Sequence, residues 1–117
     1  MIQKIGVIGA GQMGAGIAHV CAVSGFDVKL SDISADALNK AVSNIDRNLE
    51  RQVAKGKVSE ADRHTAIERI TTGTDLAMFG DCDLVIEAAT EAEEVKREIF
   101  KRLVPNLKAD ALIASNT

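Results

Sequence analysis

The chain has 117 residues, 46% of them hydrophobic and 26% charged, with a net charge of −3. Its length suits one domain with its own core, and its composition excludes a disordered or fibrous protein. The negative charge argues against a nucleic-acid-binding protein, and the lack of an apolar run of roughly 20 residues or of a signal-peptide pattern favours a cytoplasmic protein that does not cross a membrane.

The first part of the chain predicts two strands separated by a helix. An apolar, β-branched run covers residues 4–8 and stops at Gly9, as a buried strand does. A helical pattern follows over 15–24 and ends at Gly25, which is typical of a C-cap. The next apolar run, at 26–31, predicts the second strand.

Two further helices predict a hairpin after the second strand. Residues 34–56 form a long helical pattern with Ser34 as its N-cap. Residues 59–69 form a shorter one, which begins with a capping-box pattern at Ser59. The apolar stripe of the longer helix comprises Leu38, Val42, Ile45, Leu49 and Val53. Since a simple crossover needs only about a dozen residues, we expect residues 34–69 to form a helical hairpin that projects from the sheet.

The last part of the chain repeats the alternation of strand and helix. A weak strand at 70–74 precedes a strongly apolar strand at 83–88, an amphipathic helix at 93–103 and a final short strand at 111–114. The residues expected on the buried face of that helix are Val95, Ile99, Phe100 and Leu103. Strands that alternate with helices favour an α/β fold with a parallel sheet.

A glycine-rich turn lies between the first strand and the first helix. Gly9 permits a tight turn, Gly11 lets the backbone approach a pyrophosphate, and Gly14 lets helix and strand pack closely. The first N–H groups of the helix then face the phosphates. The candidate cofactor-binding turn is Gly9, Ala10, Gly11, Gln12, Met13 and Gly14. This context predicts a Rossmann-type doubly wound parallel sheet, although glycine-rich turns also occur for purely steric reasons.

An acidic residue at the end of the second strand supports the same prediction. Asp32 lies 18 residues after Gly14, where a carboxylate can accept hydrogen bonds from both hydroxyls of an adenosine ribose. A carboxylate there repels a 2′-phosphate, and Ile33 and Ser34 supply no arginine to hold one. NAD is therefore predicted rather than NADP. The alternative is that Asp32 only caps the helix that begins at Ser34.

Histidines and cysteines give no candidate for catalysis or metal binding. His19 and His64 are the only histidines, and neither precedes a carboxylate in a pattern typical of a general base, so both are predicted to be structural. Cys21 and Cys82 are far apart and show no metal-ligand spacing. We expect both cysteines to be reduced and buried.

Three segments of the chain together resemble a known family. These are IGVIGAGQMGAGIAHVCAVSGFDVKLSDIS, DLVIEAATEAEEVKREIFKRL and IASNT, and they are similar to the amino-terminal part of the 3-hydroxyacyl-CoA dehydrogenases, in particular the bacterial 3-hydroxybutyryl-CoA dehydrogenases. The resemblance covers the entire chain. Its most specific element is the pattern E-A-x-x-E with a lysine five residues later, formed by Glu87, Ala88, Glu91 and Lys96.

The resemblance implies roles for residues in the second half of the chain. Glu91 and Lys96 are expected near the nicotinamide half of NAD, and Asn116 beside the nicotinamide ribose. Without the resemblance, Glu91 and Lys96 would be an ordinary solvated pair at the start of a helix. Glu87 lies within a buried strand and needs a partner, but its pattern does not say whether its role is structural or functional.

The resemblance also implies that the hairpin helps to hold coenzyme A, through Asn48 and Lys55. Arg47, Arg51 and Lys55 recur at helical spacing and form a positive stripe. The alternative is a solvated helix face whose charge is balanced by acidic neighbours at positions 46 and 50.

By resemblance, the chain is the NAD-binding part of an enzyme that interconverts (S)-3-hydroxyacyl-CoA and 3-oxoacyl-CoA, with an acyl-CoA substrate. In the family, a histidine and a glutamate that lie beyond the SNT sequence act as the catalytic pair. We therefore expect residues 1–117 to be a domain incomplete at its carboxy-terminal end, lacking the substrate and dimerisation domain, inactive alone and prone to self-association. The full-length enzyme is expected to be a homodimer. The alternatives are a β-hydroxyacid dehydrogenase acting on a free acid and a non-catalytic NAD-binding module.

Overall fold

A five-stranded parallel sheet forms the centre of the computed structural model, which describes residues 1–90 and 92–115. The strands are Lys4–Ile8 (β1), Asp27–Ser31 (β2), Ile70–Gly73 (β3), Leu84–Glu87 (β4) and Leu112–Ser115 (β5). They lie side by side in the order β3-β2-β1-β4-β5, and every neighbouring pair is parallel. The order reverses between β1 and β4, which confirms the predicted Rossmann-type doubly wound sheet.

Helices connect the strands on both faces of the sheet. Within the described residues they are Gln12–Val23 (α1), Ala35–Ala54 (α2), Glu60–Glu68 (α3) and Glu93–Leu103 (α4), with short 3-10 helices at Leu76–Phe79 and Val104–Asn106. In this part of the chain, no helix combines the length and the apolar character that crossing a membrane requires.

The core has two parts, one on each face of the sheet, because successive residues of a strand point to opposite faces. One face of β1 and β2 packs Val7, Val28 and Leu30 against α1 and the α2–α3 pair. The other face packs Ile8 and Val85 against Phe79, Cys82 and Leu103. Strands covered on both faces read as continuous apolar runs, which is why the sequence predicts β1 and β4 so clearly.

Helices α2 and α3 form the hairpin between β2 and β3. The Ser34 hydroxyl accepts a hydrogen bond from Ala37 N (3.2 Å), and the Ser59 hydroxyl accepts one from Asp62 N (3.0 Å), so both predicted N-caps are present. Both helices contact α1. The buried residues of α2 are Leu38, Ala41, Ile45 and Leu49, whereas its turn at residues 54–57 is exposed.

Three details differ from the sequence-based expectation. Helix α1 begins at Gln12 and not at residue 15, because Gly11 already has the extended conformation of an N-cap. In α2, Ala41 is buried and Val42 is only half-buried, because the buried residues of this helix recur at spacings of three and four from Leu38. Val95 is 48% exposed and not buried, because the first turn of α4 borders an open crevice.

A network of charged residues lies at the amino ends of the strands, opposite the crevice. Asp81 accepts hydrogen bonds from Lys4 Nζ (2.8 Å) and Lys29 Nζ, which lower the pKa of its carboxyl to about 2. Asp83 accepts from Lys108 Nζ and from the backbone N–H groups of Gln3 (2.8 Å) and Lys4 (3.0 Å). These donors hold the pKa of the Asp83 carboxyl below its usual range. The network joins the chain start to β4.

Candidate functional site

A crevice of about 800 Å³ opens at the carboxyl ends of the strands, beside the point where the strand order reverses. Open parallel sheets bind their ligands at this position. Residues that line the crevice include Ile8, Gly9, Asp32, Ile33, Thr90, Val95 and Arg102. It therefore combines Gly9 of the predicted glycine turn and Asp32 with side chains of α4.

Two of the three glycines in the turn are required by packing. Gly9 has φ of 104°, and a Cβ there would lie 2.7 Å from the Cα of Ala89 in the loop after β4. A Cβ on Gly14 would lie 1.6 Å from the carbonyl oxygen of Gly9, so α1 packs directly on the turn. No atom lies within 4 Å of the corresponding position at Gly11. Gly11 thus faces open space, as the predicted approach of a pyrophosphate requires.

Asp32 links the ends of β1 and β2. Its Oδ2 accepts a hydrogen bond from Ala10 N (2.8 Å) in the glycine turn, and its Oδ1 accepts one from Ser34 N (2.9 Å). The alternative in which Asp32 only caps the following helix does not explain the bond to Ala10, and the Ser34 hydroxyl itself provides the cap. Because a carboxylate has about four lone-pair sites, Asp32 retains acceptor capacity for ribose hydroxyls.

A buried ionic cluster lies on the other side of the turn, at the ends of β4 and β5. Glu87 is fully buried (0% exposed). Its Oε2 accepts from Ala89 N (2.6 Å) and Thr90 N (3.1 Å), and its Oε1 accepts from the Ser115 hydroxyl (3.1 Å). Lys96 Nζ lies 3.6 Å from Glu87 Oε1 and donates to Ser115 Oγ (3.0 Å). The expected partner of Glu87 is therefore present.

This cluster changes how Lys96 is interpreted. Its side chain is only 12% exposed, so the solvated pair considered from the sequence is wrong for Lys96. The sequence pattern does not point to Ser115, because its contact with Lys96 forms only when β5 is placed beside β4. Glu91 and Asn116, both predicted near the nicotinamide, lie outside the described residues.

The predicted coenzyme A residues lie on the exposed side of α2. Asn48 Oδ1 accepts a hydrogen bond from Arg51 (3.3 Å), and Lys55 is exposed at the C-cap. The two acidic neighbours thought to balance the positive stripe, Asp46 and Glu50, instead contact Arg63 of α3, at 2.8 and 3.8 Å. The positive charge of the stripe is thus less balanced by acidic side chains than the alternative of a solvated helix face requires.

The histidines and cysteines lie away from the crevice lining. His19 is half-buried, and burial lowers its pKa. His64 contacts Glu68 at 2.8 Å, and both side chains lie exposed on α3. Burial raises the pKa of the Cys82 thiol to about 11, whereas Cys21 is half-buried and not fully buried as expected. Both cysteines are free thiols.

Comparisons with known proteins show the family to which the chain is related. Residues 4–117 match the family model described as 3-hydroxyacyl-CoA dehydrogenase, NAD binding domain. The 3-hydroxybutyryl-CoA dehydrogenase of Bradyrhizobium diazoefficiens is 54% identical over 117 residues, which are 100% of this chain and 40% of that protein. The 3-hydroxyadipyl-CoA dehydrogenase of Escherichia coli is 40% identical over 116 residues, which are 99% of this chain and 24% of that protein.

The crystal structure of (S)-3-hydroxybutyryl-CoA dehydrogenase from Ralstonia eutropha superimposes with a TM-score of 0.96 at 41% identity, covering 100% of this chain and 41% of that one. The chain thus spans about two fifths of the length of the first relatives that it matches. The described fold is that of the NAD-binding domain of this family.

Proposed function

The chain belongs to the 3-hydroxyacyl-CoA dehydrogenase family, whose NAD-binding domain it matches over residues 4–117, and on this premise we propose that it binds NAD for the interconversion of (S)-3-hydroxyacyl-CoA and 3-oxoacyl-CoA. The observation that carries this proposal is the crevice in which Asp32 and the glycine turn meet at the reversal of strand order. The substrate we propose is 3-hydroxybutyryl-CoA, the compound named for several relatives.

Each part of the carboxyl edge of the sheet supports one part of the cofactor. The open space at Gly11 and the first N–H groups of α1 suit the pyrophosphate. Asp32 suits the adenosine ribose. The ends of β4 and β5, with Lys96, suit the nicotinamide half. NAD accepts a hydride from the alcohol carbon, and these residues bind and orient it for that step.

The resemblance implies that the general base for the reaction is a histidine that lies beyond the SNT sequence. Alcohol oxidation requires a group that takes the hydroxyl proton, and neither His19 nor His64 lines the crevice. We therefore propose that the base belongs to the part of the enzyme that this sequence does not cover, and that residues 1–117 alone do not catalyse the reaction.

Other expectations stay predictions. They are coenzyme A contacts at Asn48 and Lys55, nicotinamide contacts at Glu91 and Asn116, a homodimer of the whole enzyme, and a cytoplasmic location. Self-association of the 117-residue chain is supported by β5, where Leu112 is 57% and Ile113 42% exposed and which pairs only with β4 among the described residues. An acid-specific dehydrogenase and a non-catalytic NAD-binding module remain the alternatives, but the relatives named above are CoA dehydrogenases.

The proposal is tested by measuring the affinities of the chain for NADH and NADPH. Because the sequence has no Trp or Tyr, the emission of the nicotinamide can be followed without interference from the protein. We expect NADH to bind and NADPH to bind much more weakly, since the Asp32 carboxylate repels a 2′-phosphate. Equal affinities for the two cofactors would contradict the assignment.

A further inference from the structure

Packing of the hydrophobic core does not explain why the carboxylate of Glu87 is buried. A carboxylate removed from water needs donors that replace its hydration. Glu87 has them on both oxygens, from Ala89 and Thr90 on one side and from Ser115 and Lys96 on the other. Donors thus surround the charge of Glu87, and this cluster lies at the carboxyl edge of the sheet.

The sheet register places this cluster at the carboxyl ends of β4 and β5, on the side of β1 opposite Asp32. Glu87 lies beside Ile8 of β1 and beside Ser115 of β5. Asp32 lies on the opposite side of β1, at the end of β2. If Asp32 takes the adenosine ribose and the glycine turn takes the pyrophosphate, the remaining half of the dinucleotide extends toward β4 and β5.

Lys96 is held in this cluster before any ligand arrives. Its ammonium group contacts Ser115 Oγ at 3.0 Å and Glu87 Oε1 at 3.6 Å, and the Ser115 hydroxyl in turn lies 3.1 Å from Glu87 Oε1. A lysine side chain has about 2 kcal/mol of rotamer entropy to lose on becoming ordered. Here that loss occurs on folding and not on ligand binding, which is how preorganisation raises affinity.

We propose that Glu87 and Ser115 are positioning residues that hold the Lys96 ammonium group for the nicotinamide half of the cofactor. Glu87 is fully buried, so it acts through its neighbours and not by touching the cofactor. This inference rests on the proposed function, because it requires NAD in the crevice.

The test compares two ligands that share one half. ADP contains the adenosine and pyrophosphate parts of NADH but lacks the nicotinamide nucleoside. Calorimetric titration of the 117-residue chain with each ligand gives an NADH-to-ADP affinity ratio. For Ser115→Ala we expect NADH affinity to fall roughly fivefold, the usual effect of losing one hydrogen bond, while ADP affinity stays within about twofold.

Further variants separate positioning from loss of structure. Lys96→Met should lower the NADH-to-ADP ratio as well, and adding Ser115→Ala to it should cause little further change, because both act through one interaction. Lys101→Met, at an exposed lysine of the same helix, is the control and should leave the ratio unchanged. Glu87→Gln should also lower the ratio, and any general loss of structure in this variant would reduce ADP affinity equally.

The outcomes are distinct. A wild-type chain that binds neither ligand would overturn the proposed function and this inference with it. A wild-type chain that binds both, combined with an unchanged ratio in Ser115→Ala and Glu87→Gln, would overturn only the positioning role. Additive effects of Ser115→Ala and Lys96→Met would also overturn it, because the two residues would then act separately.

Discussion

At the scale of single residues, Asp32 has two roles, which its position in the sequence does not distinguish. It accepts hydrogen bonds from Ala10 N and Ser34 N, so it fixes the glycine turn as well as facing the crevice. The turn is consequently ordered by the residue that is predicted to bind the ribose. Loss of the carboxylate should affect both ligand binding and stability.

Replacing Asp32 with alanine tests this double role. We expect NADH binding to weaken by about 1 to 3 kcal/mol, because hydrogen bonds to a charged group disappear. The free energy of unfolding should fall by about 1 kcal/mol, since two backbone N–H groups lose their acceptor. Fluorescence titration and chemical denaturation measure the two effects. Asp36→Ala, at an exposed acid in the first turn of α2, should leave NADH binding unchanged, and an equal effect there would contradict the prediction.

Residues differ in how well the sequence predicts their roles. Gly9, Gly14 and Asp32 are predictable because their roles depend on the turn and strand beside them. Glu87 and Ser115 are not, because their contact joins two strands that are 28 residues apart along the chain. Burial of an acid signals that a partner exists, but only the three-dimensional arrangement identifies it.

At the scale of elements, α1 packs closely on the glycine turn because Gly14 has no side chain. A Cβ on Gly14 would clash with the backbone of Gly9, whereas a Cβ on Gly16, in the same helix, would meet no atom within 4 Å. The two glycines are therefore a matched pair for measuring the importance of close packing.

Gly14→Ala should destabilise the protein strongly, because α1 has to move away from β1 to make room. Gly16→Ala should instead be neutral or stabilise it by up to about 1 kcal/mol, since alanine favours the helical state. Thermal unfolding of both variants, followed by circular dichroism, provides the comparison. Similar effects of the two substitutions would show that α1 is not held by this contact.

The hairpin gives a second prediction at this scale. If Lys55 contacts coenzyme A, Lys55→Glu should weaken the binding of acetoacetyl-CoA at least about threefold, because a charge-assisted contact becomes repulsive. NADH binding should not change, since the turn at residues 54–57 is not part of the crevice lining. Isothermal titration with each ligand measures both affinities.

Lys40→Glu is the control for this experiment, because Lys40 is exposed near the other end of α2. It should affect neither ligand. Unchanged acetoacetyl-CoA binding by Lys55→Glu would contradict the predicted contact, and loss of NADH binding as well would indicate unfolding. Added salt should weaken the CoA contact in the wild-type chain.

The elements themselves are well predicted from the sequence, because strands buried on both faces and helices with polar outer faces have different periodicities. What the sequence misses is which side chains at the margin of a helix face are buried. Ala41 and not Val42 faces α1, and Val95 faces the crevice, because the neighbour of a helix decides which side is buried.

At the scale of the whole molecule, the network at the amino ends of the strands makes stability depend on pH. Lys29 and Lys4 lower the pKa of Asp81 to about 2, below the ordinary value of about 3.9. A group whose pKa is lower in the folded state contributes stability above the unfolded value and loses it as the pH falls. Asp83 is shifted in the same direction.

We therefore expect the melting temperature to fall between about pH 4 and pH 2. Asp81→Asn should be less stable than the wild type at pH 6, and this difference should become much smaller near pH 2, where the carboxyl is protonated in the unfolded chain and about half protonated in the folded protein. Added salt should reduce the difference at pH 6 because Asp81 is partly exposed. Asp110→Asn, at an exposed acid, is the control. A difference that persists unchanged at pH 2 would contradict the prediction.

The position of the hairpin also has a consequence for the order in which the chain folds as it is made. Strand β1 is the first element to be synthesised, but it lies in the centre of the sheet and needs β4 as its second neighbour. The chain must therefore be made up to about residue 87 before both edges of β1 are paired. At roughly 5 to 20 residues per second, synthesis of residues 34–69 delays that pairing by a few seconds. The inserted hairpin thus lengthens the time during which one edge of β1 is open to pairing with other nascent chains.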